Sequence, residues 1–112
     1  MKVNTKDKRY IRRILLFIFD IHSYLKDKKL EELHYNSMLF DAVCMKLFQI
    51  GEFSTKFSDK FKDNTKEIPW FKIKGFRNIL AHEYVEVKTH IVIRIIQTDL
   101  KKLENILSNI NP

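Results

Sequence analysis

The residues with the clearest capacity for chemistry lie in one run, Arg77-Asn78-Ile79-Leu80-Ala81-His82-Glu83-Tyr84. An imidazole such as His82 titrates near neutral pH and can take or give a proton. A guanidinium such as Arg77 is a permanent cation whose fork of donors suits an oxyanion. On a regular helix Arg77 and His82 would stand about 140° apart and would not share a face. Asn78 and His82, one turn apart, do share one, and Arg77 and Tyr84 share the neighbouring one. If the helix ends near His82, the long Arg77 side chain can still reach the groove lined by Asn78 and His82, especially where a second subunit closes it. The same residues have plainer readings. Arg77 is then one more solvated cation, His82 a helix-end residue favourable to the dipole when charged, Asn78 a surface amide and Tyr84 a half-buried aromatic.

The elements that must position this run are legible from apolar spacing. Ile11, Ile14, Leu15, Ile18, Ile21 and Leu25 recur at steps of three and four and predict a helix over about 6–26, its stripe widened by Phe17 and Phe19. The polar Lys26–Glu32 stretch reads as a connection, and Asn36 or Ser37 can cap a second helix. Phe40, Val43, Leu47, Ile50, Ser54, Phe57 and Phe61 predict that this helix runs to about 62. Gly51 sits inside it at a cost of about 1 kcal/mol, which predicts that another backbone crosses there.

Lys62–Glu67 reads as a loop, and Pro69 suits the first position of the next helix. Trp70, Ile73, Phe76 and Leu80 mark that helix's core side. Glu83–Lys88 reads as a helix end and turn, and Thr89 as a cap. Val92, Ile95, Ile96, Leu100, Leu103, Ile106, Leu107 and Ile110 then predict a terminal helix to about 109. The fold class expected is all-α, an antiparallel four-helix bundle with room for a short fifth helix, formed by one domain over residues 1–112.

The chain carries 21 Lys and Arg against 14 Asp and Glu, a formal charge of +7, which excludes few functions but favours partners bearing phosphate or clustered carboxylates. One group of cations, Lys2 to Arg13, faces only Asp7. A second, Lys56 to Arg77, outnumbers Asp59, Asp63 and Glu67. A single Cys44 allows no internal disulfide, and no Cys-x-x-Cys or His-x-x-x-His pair offers a metal cage, so no cofactor is expected. No leader peptide is legible, and the longest apolar stretch, Ile14 to Phe19, falls far short of the roughly 20 residues needed to cross a bilayer. A cytoplasmic location without membrane contact is expected.

Arg77, four intervening residues, then His82 resembles the Arg-x4-6-His motif of HEPN domains, and Asn78 follows the family habit of a polar residue after the Arg. Arg77 to Tyr84 as a whole resembles the Arg-x4-His-x-Tyr signature of the HepT-like (DUF86) proteins. Ile50-Gly51-Glu52, Ile68-Pro69-Trp70 and Gly75 are similar to further features of the same family in the same order. Lys88-Thr89 departs from it, since an acidic residue often opens the last helix.

The resemblance implies a HEPN bundle and a metal-independent endoribonuclease, in which a 2'-hydroxyl attacks the adjacent phosphate. Arg77 and His82 would be catalytic and Asn78 would orient the phosphate or His82, with Lys72 and Lys74 as rim contacts to RNA. It also implies a homodimer or higher oligomer whose paired helices complete each groove. The toxin would be neutralised by an MntA-like minimal nucleotidyltransferase, in some systems by AMP transfer onto the residue matching Tyr84. The alternative is a non-catalytic HEPN partner that docks such a nucleotidyltransferase.

Overall fold

A computed structural model describes residues 2–82 and 86–110. Among these residues there are helices and no strands, so the expected all-α class holds. Helix α1 spans Thr5–Leu25, α2 Ser37–Ser54, α3 Asp59–Asn64, α4 Trp70–His82, α5 Thr89–Ile95 and α6 Lys101–Asn109, with a 3-10 turn at Leu30–His34.

The Asn4 side chain caps α1 by accepting from the Asp7 amide at 2.7 Å. The helix stops where Asp27 adopts φ 61°, a left-handed conformation that Asp tolerates better than most residues. Ile11, Ile14, Phe17, Ile18 and Ile21 form its buried stripe, as the spacing predicts. Phe19 does not join them and is exposed. It lies about 200° around the helix from Phe17, on the far side.

Asn36 caps α2 by accepting from Leu39 N at 3.1 Å. Helices α1 and α2 run antiparallel: Asp20 near the end of α1 pairs with Lys46 at 3.1 Å, while Tyr10 near its start meets Phe53 near the end of α2. The single long helix predicted to about 62 is in fact two. Helix α2 ends at Ser54, where the Ser54 and Thr55 hydroxyls donate to the Ile50 and Glu52 carbonyls, each at 2.7 Å.

Helix α3 then starts from a separate cap. The buried Asp7 carboxylate accepts from the Ser58 amide at 3.0 Å and its hydroxyl at 2.6 Å, and Ser58 Oγ accepts from Phe61 N. Phe57 and Phe61 remain buried as predicted, stacked at 4.6 Å between centroids, with Trp70 against both. Periodicity continued across the break because both segments face the same core; the break lies in the hydroxyl and carboxylate bonds. Lys62–Asn64, predicted as loop, accordingly belong to α3.

Pro69 directly precedes α4, and its carbonyl accepts from Ile73 N at 3.0 Å. Thr89 begins α5, but Lys88 occupies the cap position and makes no side-chain capping bond, so the predicted Thr89 cap does not form. The last helix runs continuously to Asn109 through a π-helical turn at Ile96–Leu100. Buried Ile95 and Leu100 are five residues apart, a step that a regular helix would put on different faces; the wider turn brings both to the core. His22 of α1 meets Glu104 of α6 at 2.9 Å.

Candidate active site at the crossing of two helices

Helix α4 buries Ile73, Phe76 and Leu80, which turns Arg77 toward α2 and leaves Lys72, Lys74 and His82 on the outside. Gly51 is the crossing point predicted from its place in a helix. A Cβ built there would collide with Arg77 Cβ and lie 2.8 Å from its Cγ and 3.4 Å from its Cα. Any side chain at 51 would push against the root of Arg77 rather than its mobile tip. The absence of a side chain at Gly51 is therefore what lets α4 present Arg77 at this height.

The guanidinium is fixed from two directions. Arg77 Nε donates to Glu52 Oε1, the residue after the crossing glycine, and Arg77 Nη1 donates to Asn78 Oδ1 at 2.6 Å. The Arg77 side chain keeps 28% exposure, so the pair is half-screened and its value lies in geometry more than in raw attraction. With Nε engaged by the Glu52 carboxylate and one Nη1 proton by Asn78, Nη2 and the other Nη1 proton are the donors left to meet an outside anion.

Asn78 thus plays a part that spacing alone does not assign. It was expected to orient the phosphate or His82, and its carbonyl oxygen holds Arg77. Because Asn78 also lies one turn from His82 on the same stripe, it links the two faces that separate Arg77 from His82. His82 is exposed at the C-terminal end of α4 and has no hydrogen-bond or ionic partner among the described residues.

Tyr84 lies outside the described residues. Lys72 and Lys74 are both exposed, and Lys74 borders a groove that also takes in Gly51. Among the described residues no three His, Cys, Asp or Glu side chains gather as a metal ion requires. No helix among them is long and apolar enough to cross a membrane.

Glu52 is the residue whose role the sequence reading missed. Its signal was its place after a helix-interior glycine: a carboxylate beside a close crossing faces whatever crosses there.

Residues 14–110 match the family model described as ribonuclease HepT-like. A Methanocaldococcus jannaschii protein named "Putative RNase" is 30% identical over 97 residues, covering 87% of this chain and 89% of the relative. A Caldanaerobacter subterraneus subsp. tengcongensis protein of the same designation is 27% identical over 95 residues, 85% of each chain. A longer M. jannaschii protein, named "Gamma-glutamylcyclotransferase and putative RNase", is 30% identical over 97 residues, which make up 87% of this chain but 44% of that one. No solved structure matches the chain.

Proposed function

We propose that this chain, which belongs to the ribonuclease HepT-like family, is a metal-independent endoribonuclease acting as the toxin of a toxin–antitoxin pair. The observation that carries the proposal is the Arg77 guanidinium, held by Glu52 and Asn78 with Nη2 unbonded among the described residues, on the helix that also carries His82, exposed and without a bonding partner among those residues. In this reading Arg77 holds the scissile phosphate and offsets charge on its non-bridging oxygens. His82 moves the proton that the attacking 2'-hydroxyl loses or the leaving oxygen gains.

The homodimer belongs to the same proposal. Met45 of α2, 56% exposed, lines a shallow and mostly apolar hollow with Phe48, Leu80 and Ala81, and Ile79, next to Leu80 in α4, is 36% exposed. Pairing two copies over this face would cover it and bring two His82 side chains toward two Arg77 side chains. An MntA-like nucleotidyltransferase is the proposed antitoxin, with Tyr84 its AMP acceptor. Adding a nucleotide two residues after His82 in the sequence would bring negative charge into the motif and repel RNA phosphate. The setting proposed is the cytoplasm.

Purified chain incubated with RNA in EDTA should cleave it and leave cyclic phosphate ends, and His82→Ala should not. Equal cleavage by the variant would sink the assignment. A wild type inert on RNA that still binds a nucleotidyltransferase would instead favour the non-catalytic partner.

A further inference from the structure

We propose that the groove between the C-terminal end of α2 and the N-terminal half of α4 is a subsite for one unpaired base of single-stranded RNA, next to the nucleotides at Arg77. The inference rests on the ribonuclease reading above and adds to it a binding site with a stated ligand class.

The first observation is Phe71, which is 89% exposed on the active-site helix. It precedes Asn78 by seven residues and so shares its stripe, about 10 Å away along the axis at 1.5 Å per residue. That is one or two nucleotides of an extended strand. Between them lies Gly75, where a Cβ would meet nothing within 4 Å, so the helix surface is uncrowded at that point.

The second observation is the groove itself, lined by Trp70, Phe71, Lys62 and Lys74 and by the backbone near Gly51. Trp70 is a rigid floor, because its indole N–H donates to the Thr65 carbonyl at 3.1 Å and its ring packs on Phe57 and Phe61. Lys62 Nζ stands 5.8 Å from the Trp70 ring centroid. None of the lining residues is acidic. Gly51 joins groove and site, since it borders the groove and also receives the root of Arg77. Exposed and half-buried aromatics flanked by lysines bind single strands through stacking and phosphate attraction, without reading sequence.

Charge also selects RNA over a second copy of the chain as the occupant. A two-fold contact places the same patch on both sides, so the lysines of two copies would gather in one contact with no acidic lining residue to offset them. A polyanion neutralises them.

The test uses Trp70, the one tryptophan in the chain, as a reporter inside the groove. A short single-stranded RNA titrated into His82→Ala protein should change Trp70 fluorescence. Phe71→Ala in that background should weaken binding about tenfold, within the range for one base–aromatic stack, and Phe71→Tyr should restore it. The same RNA carrying abasic positions should bind His82→Ala and its Phe71→Ala derivative alike. Lys74→Ala should flatten the salt dependence.

Equal affinity with and without the Phe71 ring overturns the subsite. So does unchanged affinity accompanied by a shift from dimer to monomer in sedimentation, which assigns Phe71 to contact between copies. A wild type that cuts RNA while Phe71→Ala cuts and binds it equally well removes the subsite alone. A wild type that neither binds nor cuts RNA removes the ribonuclease reading beneath it.

Discussion

The two ends of the motif on α4 are built in opposite ways. Arg77 is seated where α4 crosses Gly51, its guanidinium bonded to Glu52 and Asn78. His82, just over one turn further along, is exposed and has no bonding partner among the described residues. On the proposed reading, the half that would hold phosphate is prepared by the fold of one chain, whereas the half that would move the proton is oriented by nothing described in it. Such a division suits an enzyme whose site is completed by substrate or by a second copy, and each prediction below tests one side of it.

The largest effect should come from the unsupported end. His82→Ala should lower RNA cleavage by roughly 10²–10⁴-fold, the range for a lost general acid or base. It should leave stability within about 0.5 kcal/mol, as for an exposed residue with no partner among the described ones. Cleavage assays beside thermal melts measure both. A clear drop in melting temperature would show that His82 is supported from within the chain and would break the comparison.

The crossing should respond in the reverse way. Gly51→Ala should cost about 1–3 kcal/mol, the range for overpacking, because the new methyl meets Cβ and Cγ of Arg77 close to the α4 backbone. Activity should fall as well, since Arg77 moves with its root. Urea melts compared with cleavage rates would show whether both losses occur together. Retained stability with full activity would mean that α4 can slide without consequence.

How far the sequence foretold these features follows from the kind of interaction involved. Burial along Ile11–Ile21 was legible because apolar spacing reports directly on which face is covered. The crossing was legible at Gly51 because a glycine in a helix interior requires compensation. The identity of the crossing residue was not, since only tertiary contact brings Arg77 to it. The break at Ser54 was hidden for a similar reason: Phe57 and Phe61 keep the period, while Asp7, more than fifty residues upstream, supplies the bonds that start α3 separately. At the site, Arg77, Asn78 and His82 were visible as a motif, but the bond from Arg77 to Glu52 spans 25 residues and has no local signature.

That bond can be tested for positioning as distinct from charge. Glu52→Ala should lower kcat about tenfold, corresponding to about 1.4 kcal/mol, by freeing the guanidinium to swing, while Glu52→Gln retains an acceptor for Nε and should recover most of it. A KM that rises while kcat stays constant would instead assign Glu52 to ground-state affinity. Equal losses in both variants would show that the negative charge, and not the hydrogen bond, matters.

Beneath the exposed end of α4, Cys44 borders the apolar hollow next to Leu80 and Ala81. Burial, with the nearby Asp41 charge adding to it, pushes its thiol from the ordinary 9.0 up to about 12. The folded chain therefore keeps this proton between those pH values while the unfolded chain releases it. Its contribution leaves stability unchanged below pH 9 and lowers it progressively from 9 toward 12, with a limiting slope of about 1.4 kcal/mol per pH unit. At pH 10 the loss should be about 1.4 kcal/mol, read as the difference in pH dependence between wild type and Cys44→Ala in urea melts. Parallel curves would show that solvent reaches the thiol and that this end of the α2–α4 interface is looser than the Gly51 crossing.

The smallest effect should come from the other glycine of the chain. Unlike Gly51, Gly75 would place a Cβ in open space, so alanine there should raise stability by about 0.5–1 kcal/mol through helix propensity alone. Thermal melts of Gly75→Ala beside Gly51→Ala put the two glycines on one scale with opposite signs. Cleavage rates then locate the approach of RNA. If the base seated at Phe71 leads to Arg77 along this stripe without touching the backbone, Gly75→Ala should cleave as wild type. A variant more stable yet markedly slower would mean that the strand passes in contact with α4 at Gly75, bringing the path closer to the helix than Phe71 alone requires.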